Sequence, residues 1–381
     1  MTQVGIIRTN LTSVVSDLET LLGMINYRPQ KEKILLKPNI VVAEPPENGS
    51  ITHPKLMEAL VHYFRKRDRE VVIAEGTGIF ADDRDFERLL HSSQYAPLRN
   101  QLGVPIINLE RAETEKIPWQ YGSLHIPKLL KDHEYINVPT MKTHGQTMVT
   151  LGVKNQKGLL PMKMKKMFHK RDLHSSILAL SEVIRPTLTV VDGIYCVEGN
   201  GPTGPPVGEV KRMDLLVAGT DLMAVDNVCV DIMGFDIEGI RHLKSVNDIE
   251  ILGVKVGDVK SGFKVPTIGT MRLGPFVFYS DDRVCTMCTV SIYKALSKIF
   301  GTPELQRQLG SREDLSEIHI IMGQAKPPAE LAGCTFCLGD CATKTAKRMG
   351  LPHIKGCHPD YKNIVKSLFP GYYSEPPPVN P

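Results

Sequence analysis

No apolar stretch of this 381-residue chain approaches the ~20 residues of a membrane span, and no internal repeat is visible. Residues 1–8 lack the basic region and apolar run of a secretory leader, and read instead as the first strand of a domain. The expected location is the cytoplasm, with no membrane partner. A G-x-x-x-x-G-K-[ST] phosphate loop is absent, as is the G-x-G-x-x-G dinucleotide fingerprint; Glu75-Gly76-Thr77-Gly78 is too short to replace either. Charge of one sign is scarce too. The formal net charge of +4 is too small to argue for a nucleic-acid partner. What is there is a folding composition, 42% hydrophobic and 23% charged, which supports a large core and excludes disorder as the main state. The length allows two domains, or one large domain with an appendage.

One local absence is informative. Between residues 142 and 171 there is no acidic side chain, while Lys142, His144, Lys154, Lys157, Lys163, Lys165, Lys166, His169, Lys170 and Arg171 are all present. Such a segment is a candidate anion site. For Lys163 to Lys166 a solvated basic face is an equal alternative.

Strand and helix signals alternate through the first two thirds. Residues 4–8, 33–36, 70–74, 135–138, 188–191 and 215–218 read as strands, and 11–25, 54–67, 82–91, 173–184 and 221–233 as helices. Thr52 is the expected N-cap of the helix that has Pro54 in its first turn. Residues 145–161 read as a polar, Gly-containing stretch, and 199–208, rich in Gly and Pro, as a loop. The pattern predicts an α/β fold, a mostly parallel sheet core with helices on both faces. Ligands of such sheets bind at the carboxyl ends of strands, which is where Lys37, Asn39, Glu75 and Thr77 fall. The predicted organisation is an α/β core with an anion-binding crevice over residues 1–275, a cysteine-rich metal-binding region over 276–368, and a Pro-rich tail over 369–381.

Six of the eight cysteines belong to that second region: Cys285-x-x-Cys288, Cys334-x-x-Cys337-x-x-x-Cys341 and Cys357. A two-residue turn brings both sulfurs of C-x-x-C to one side. Two such pairs with two further thiols therefore point to an iron–sulfur or zinc site rather than to buried thiols or disulfides, the more so in a reducing cytosol. Cys196 and Cys229 read as structural, Cys229 on the apolar face of a helix. Cys196 stands beside a loop, where a reactive thiol is the alternative.

Several loops carry a resemblance. Lys37-Pro38-Asn39 with Thr52-His53-Pro54, Lys142-Thr143-His144, Lys154-Asn155-Gln156-Lys157-Gly158, Lys166 and His169, Val191-Asp192-Gly193, Glu198-Gly199-Asn200-Gly201-Pro202, and Gly219-Thr220-Asp221 with Ala224-Val225-Asp226 together resemble the bacterial and archaeal family catalogued as domain of unknown function 362. The resemblance covers about residues 4 to 360. It implies an α/β core that many members couple to iron–sulfur binding, and it implies no particular reaction. Members resemble this chain in the tail as well, with a C-x-x-C pair, a Gly-x-Cys and a Gly-Cys-Pro-Pro. These correspond to Cys285 with Cys288, Gly339-Asp340-Cys341, and Gly356-Cys357-His358-Pro359. His358 departs from that pattern, and so does the added pair Cys334 and Cys337.

From the resemblance, Cys285, Cys288, Cys341 and Cys357 are the expected ligands of a four-iron, four-sulfur (4Fe-4S) cluster. A rival set uses Cys334, Cys337 and Cys341 with one distant thiol, and zinc is the alternative cofactor. Lys37, Asn39, Lys142, Lys154 and Lys157 are the expected contacts of a small anionic ligand, since a lysine presents a compact charge to phosphate or carboxylate. His144, His169 and Glu198 are the expected acid–base group, with His53, His174 and Asp192 near them in sequence. Three functions follow as expectations. The first is an iron–sulfur protein carrying out or supporting a redox step on a small anionic substrate or cofactor, served by an electron-donor protein. The second is a non-redox metalloenzyme of isomerase or lyase type, with a histidine-held metal and a structural tail cluster. The third is a module that binds a ligand or metal cofactor without turnover. All three are compatible with a homo-oligomer.

Overall fold

A computed structural model of the chain describes residues 2–76, 83–205, 207–266, 269–281, 283–284 and 286–373, without the side chains of residues 169, 170, 286 and 287. Thr77, Cys285 and most of the Pro-rich tail therefore lie outside the described residues, as does the side chain of His169. The chain divides into two units, Met1–Pro266 and Thr267–Pro381.

In the first unit β-branched and Leu-rich runs form strands buried on both faces, as parallel sheets require. The strands are β1 (Thr2–Arg8), β2 (Lys33–Lys37), β3 (Glu70–Glu75), β4 (Ile106–Asn108), the hairpin β5 (Thr114–Trp119) and β6 (Gly122–Pro127), then β7 (Glu134–Asn137), β8 (Thr140–His144), β9 (Met148–Thr150), β10 (Leu188–Gly199), β11 (Gly208–Gly219) and β12 (Ile249–Gly253). Among the described residues ten of these form one sheet, in the order β12-β1-β11-β10-β7-β2-β3-β4, with β8 and β9 attached alongside β10. Pairing is parallel except where β11 meets β1 and β10, and where β9 meets β8. The fold is thus α/β with a mostly parallel, mixed sheet. On β1, a side chain at Gly5 would meet Leu21 of the helix Val14–Met24 and Ile25 that caps its end, whereas Val4 and Gly219 lie together with Val225 of the helix Leu222–Met233.

Three local readings change. The helix Pro54–Arg65 is capped by His53, whose ring accepts from Lys55 N; Thr52 instead donates to Val138 O at 2.7 Å and accepts from Asn39 N. A buried hydroxyl beside the strand ends serves them before it can serve a helix. Strands β10 and β11 run far beyond 188–191 and 215–218, because their outer halves pair with each other as a hairpin past the irregularity between Gly193 and Tyr195. The stretch 145–161 holds β9 and the helical turn Gly152–Asn155, and the basic segment after it is the helix Met162–Lys170.

The second unit has a sheet of its own, ordered β13 (Thr270–Leu273), β14 (Phe276–Tyr279), β15 (Ile318–Met322), β16 (Cys334–Leu338) and β17 (His353–Ile354), parallel except for β13 against β14. Phe276, Phe278, Ile320 and Phe336 pack with Ile292 and Leu296 of the helix Thr286–Phe300 and with Ile364 and Val365 of the helix Tyr361–Leu368. The neighbouring positions Val277, Tyr279, Ile321 and Cys337 pack with Ala346 of the helix Thr343–Met349.

Candidate functional site

The carboxyl ends of β7, β2 and β3 lie side by side, and the turn Gly152–Asn155 is fixed against them. Lys37 ends β2 fully buried. Its ammonium donates to Pro38 O at 2.8 Å and to Asn155 Oδ1 at 3.1 Å, and pairs with Glu75 at 3.0 Å. Glu75 also accepts from Ile40 N and Gly76 N. Asn155 bridges Asn39, Asn137 and Pro38 O. Gly158 closes over the ion pair: a side chain there would lie 2.6 Å from both Lys37 Nζ and Glu75 Oε1. Burial lowers the Lys37 pKa and Glu75 opposes that shift. Lys37 and Asn39, expected at an anion, instead hold the strand ends together, and all three Lys37 donors are taken. Lys165 likewise ties its helix to Gly76 O and to Glu110.

The other end of the turn rests on Asp226, whose carboxylate accepts from Gly152 N and Val153 N, each at 2.8 Å. Burial pushes this carboxyl up to about 7, against the two N–H groups that favour its ionised form. The sequence reading matched Asp226 to a motif and gave it no role. Its signal was an acidic residue on the apolar side of a helix.

Lys154 is different. The side chain is partly exposed, yet loss of surrounding solvent drives its pKa well down, with Lys157 and Lys142 adding like-charge repulsion. Among the described residues its ammonium makes no hydrogen bond or ion pair. Lys142, fully buried on β8, donates to Ser50 O, and burial brings its pKa down to about 7, with Glu44 and Glu75 pulling the other way. Ser50 Oγ donates to Glu44 and accepts from Gly204 N, which ties the loop after β10 to the same place.

The histidines are held rather than free to move. His144 is buried and its Nδ1 accepts from Gln146 N at 3.1 Å. His53 N donates to Asp192 at 2.6 Å, and burial lowers the His53 pKa to about 4. His174 and His242 meet Nδ1 to Nδ1 at 3.3 Å, and burial lowers both, His242 to about 3. His242 was not anticipated, because its partner is 68 positions away. Glu198 is not brought to His144. Val197 pairs with Lys142 in register, so alternation turns Glu198 to the face opposite Lys142 and His144. There it pairs with Lys211 at 3.2 Å and accepts from Lys264 N.

In the second unit the C-x-x-C pair Cys334 and Cys337 does not close on one point. Cys334 and Cys337 stand three apart on β16, so strand alternation sends them to opposite faces. Cys334 packs with the Phe276 cluster and Cys337 with the Val277 cluster, where burial pushes its thiol up to about 11. One metal centre cannot take both. Cys288 and Cys341 do converge. A side chain at Gly339 would lie 3.2 Å from Cys288 Sγ and 3.5 Å from Cys341 Sγ, and Gly339 holds φ at +87°. Asp340 N donates to Gly356 O at 3.1 Å and Gly356 N to Asp340 Oδ1 at 2.8 Å, which brings Cys357 beside Cys341. Among the described residues no three His, Cys, Asp or Glu side chains close on a common metal position; the expected fourth thiol, Cys285, lies outside them. Clustered thiols over a bare glycine fit a thiolate-held metal or cluster.

The family described as domain of unknown function (DUF362) matches residues 34–231. A protein of Synechocystis sp. named thylakoid-associated protein sll1697 is 30% identical over 236 residues, which cover 59% of this chain and 70% of that protein. The chain belongs to the DUF362 family. No helix among the described residues is long and apolar enough to cross a membrane.

Proposed function

We propose that this DUF362 protein is an iron–sulfur protein that carries out or supports a redox step on a small anionic substrate or cofactor. The observation that carries the reading is the approach of Cys288 and Cys341 to one point over Gly339. Cys288, Cys341 and Cys357, together with Cys285, would hold the cofactor. Bound there, a four-iron, four-sulfur cluster supplies a one-electron redox centre. The protein's own part is to keep the thiols together. Gly339 leaves their space open, and the reciprocal Asp340–Gly356 hydrogen bonds fix the two cysteine loops against each other. In the first unit, Lys154 supplies the charge that attracts the anion. The buried strand ends beneath it hold Lys154 in place and take no part in the chemistry.

Anoxic purification followed by iron, sulfide and zinc analysis tests this. The expected result is a brown protein with about four iron and four sulfide per chain. A colourless preparation with stoichiometric zinc would refute the redox reading and leave the zinc alternative. The proposed location is the cytoplasm. The thylakoid association in the relative's name makes attachment to a membrane surface the alternative, read by whether the protein sediments with membranes at low salt.

A further inference from the structure

We infer that the first unit holds a specific site for a compact oxydianion of the phosphate or sulfate type, with Lys154 as its direct contact and the His174–His242 pair as its second wall. The inference deepens the anion half of the function proposed above and rests on it.

The turn that carries Lys154 is fixed at its other polar positions. Gly152 N and Val153 N go to Asp226, Gly152 O to Asn137, and the Asn155 side chain to Lys37, Asn39 and Asn137. Lys154 is the position left over. The carboxylates that could neutralise it are already engaged. Asp226 holds the turn backbone, Glu75 holds Lys37, and Asp172 holds Arg241 and Ser175. A half-buried ammonium with no protein partner on a turn that is otherwise fully tied down is placed where a ligand can supply the opposite charge. Lys157 and Lys142 add positive charge around it. More than one cation calls for more than one negative charge, and point-charged lysines suit a tetrahedral oxyanion better than a planar fork would.

The histidine pair is the second, independent observation. Both rings lie near enough to Lys154 to feel its charge. Their Nδ1 atoms lie 3.3 Å apart, and His242 Nε2 is fully buried without a hydrogen-bond partner. The charged groups facing the pair are Lys154, Arg241 and Asp172. Burial, with Arg241 beside His174, keeps the pair neutral in the empty site. A dianion on Lys154 reverses that balance, so binding favours protonation of Lys154 and of the pair. The linked outcome is proton uptake on binding, and affinity that falls as pH rises and Lys154 loses its charge.

The test is calorimetric titration of the full chain with sulfate, which stays a dianion at neutral pH, and then with inorganic phosphate. Heats are compared in two buffers of different ionisation enthalpy. Saturable binding with net proton uptake is expected. Lys154→Gln should weaken sulfate binding by at least about tenfold, while its melting temperature stays level or rises, because an unpartnered charge has been removed. Lys163→Gln, on the exposed face of the next helix, should bind as the parent does. Absence of saturable sulfate and phosphate binding, unchanged affinity in Lys154→Gln, or an equal loss in Lys163→Gln would each overturn the proposal. Metal analysis of the same preparation separates the two readings. A chain without iron that binds sulfate through Lys154 keeps this inference and loses the redox function. An iron–sulfur chain that binds neither anion does the reverse.

Discussion

Each unit sets a glycine where a strand gives way to a short helical turn, and the two glycines are crowded by different chemistry. A side chain at Gly152 would meet Leu222 at 2.6 Å and Asp226 Oδ1 at 2.9 Å, groups that already pack and cap the turn. A side chain at Gly339 would meet two thiol sulfurs. In the first unit the close approach is explained by the protein itself, through a capped turn, a buried ion pair and an asparagine bridge. In the second unit, Cys288 comes from the helix Thr286–Phe300 and Cys341 from the turn Asp340–Ala342, whose backbone Gly356 holds, and a thiolate-bound metal is the ligand proposed above for the space between them. The comparison separates residues that build a site from residues that offer themselves to a ligand. Lys37 belongs to the first group, and on the function proposed above Lys154, Cys288 and Cys341 belong to the second.

The sharpest way to break the comparison is to exchange two cysteines of the same C-terminal run, Cys337 and Cys341. Cys341→Ala should abolish iron binding after anoxic purification. Cys337→Ala should leave iron content at the parent level and cost about 1 kcal/mol of stability for the small cavity it opens. The first removes a thiol over Gly339, the second a thiol in an apolar cluster. Equal loss of iron in both variants would mean that the facing of β16 is wrong, or that Cys337 is a ligand.

A smaller effect is expected from the ion pair. Glu75→Gln leaves the Lys37 charge buried without its carboxylate and should cost about 3–5 kcal/mol in denaturant unfolding. Lys154→Gln should cost nothing in the same assay. If Glu75→Gln were as stable as the parent, Lys37 would not be the braced residue described above, and its place among the anion contacts would reopen.

The alternation of strands and helices was legible because each element carries its own period. Helix limits such as Leu173–Val183 and Leu222–Met233 agree with the expected 173–184 and 221–233 to within a residue, with Asp172 and Asp221 as caps. The outer half of β10 was not legible because Asp192-Gly193 reads as a strand end although Ile194 to Val197 continue the strand, and that of β11 because its polar start, with Glu209, Lys211 and Arg212, gives no apolar period. In the site, residue type was readable and engagement was not. Lys37, Lys142 and Lys154 look alike in a sequence. Glu75, 38 positions away, decides that the first is neutralised, and no contact between neighbours in the chain could reveal it. The same holds for C-x-x-C. The spacing promises convergence only on a turn, and at Cys334 the flanking Thr335 and Phe336 continue a strand.

The third lysine gives the smallest effect and the most direct view of burial. Among the described residues Lys142 has one carbonyl partner, Ser50 O, and no carboxylate in contact. Burial lowers its pKa from the usual 10.5 to about 7. Between those values the unfolded chain holds the proton that the folded chain has released, so the stability of the protein should rise with pH from about 7 to about 10 on account of this residue. Lys142→Met keeps most of the side-chain volume and removes the titration. Its stability relative to the parent should therefore be most favourable near pH 7 and should decline toward pH 10, measured by urea unfolding at each pH. Identical pH slopes in parent and variant would show that Lys142 keeps a full charge in the fold. It would then need an acceptor beyond Ser50 O, and Glu44, whose Oε1 is buried without a partner, is the group within the same cluster that can supply one.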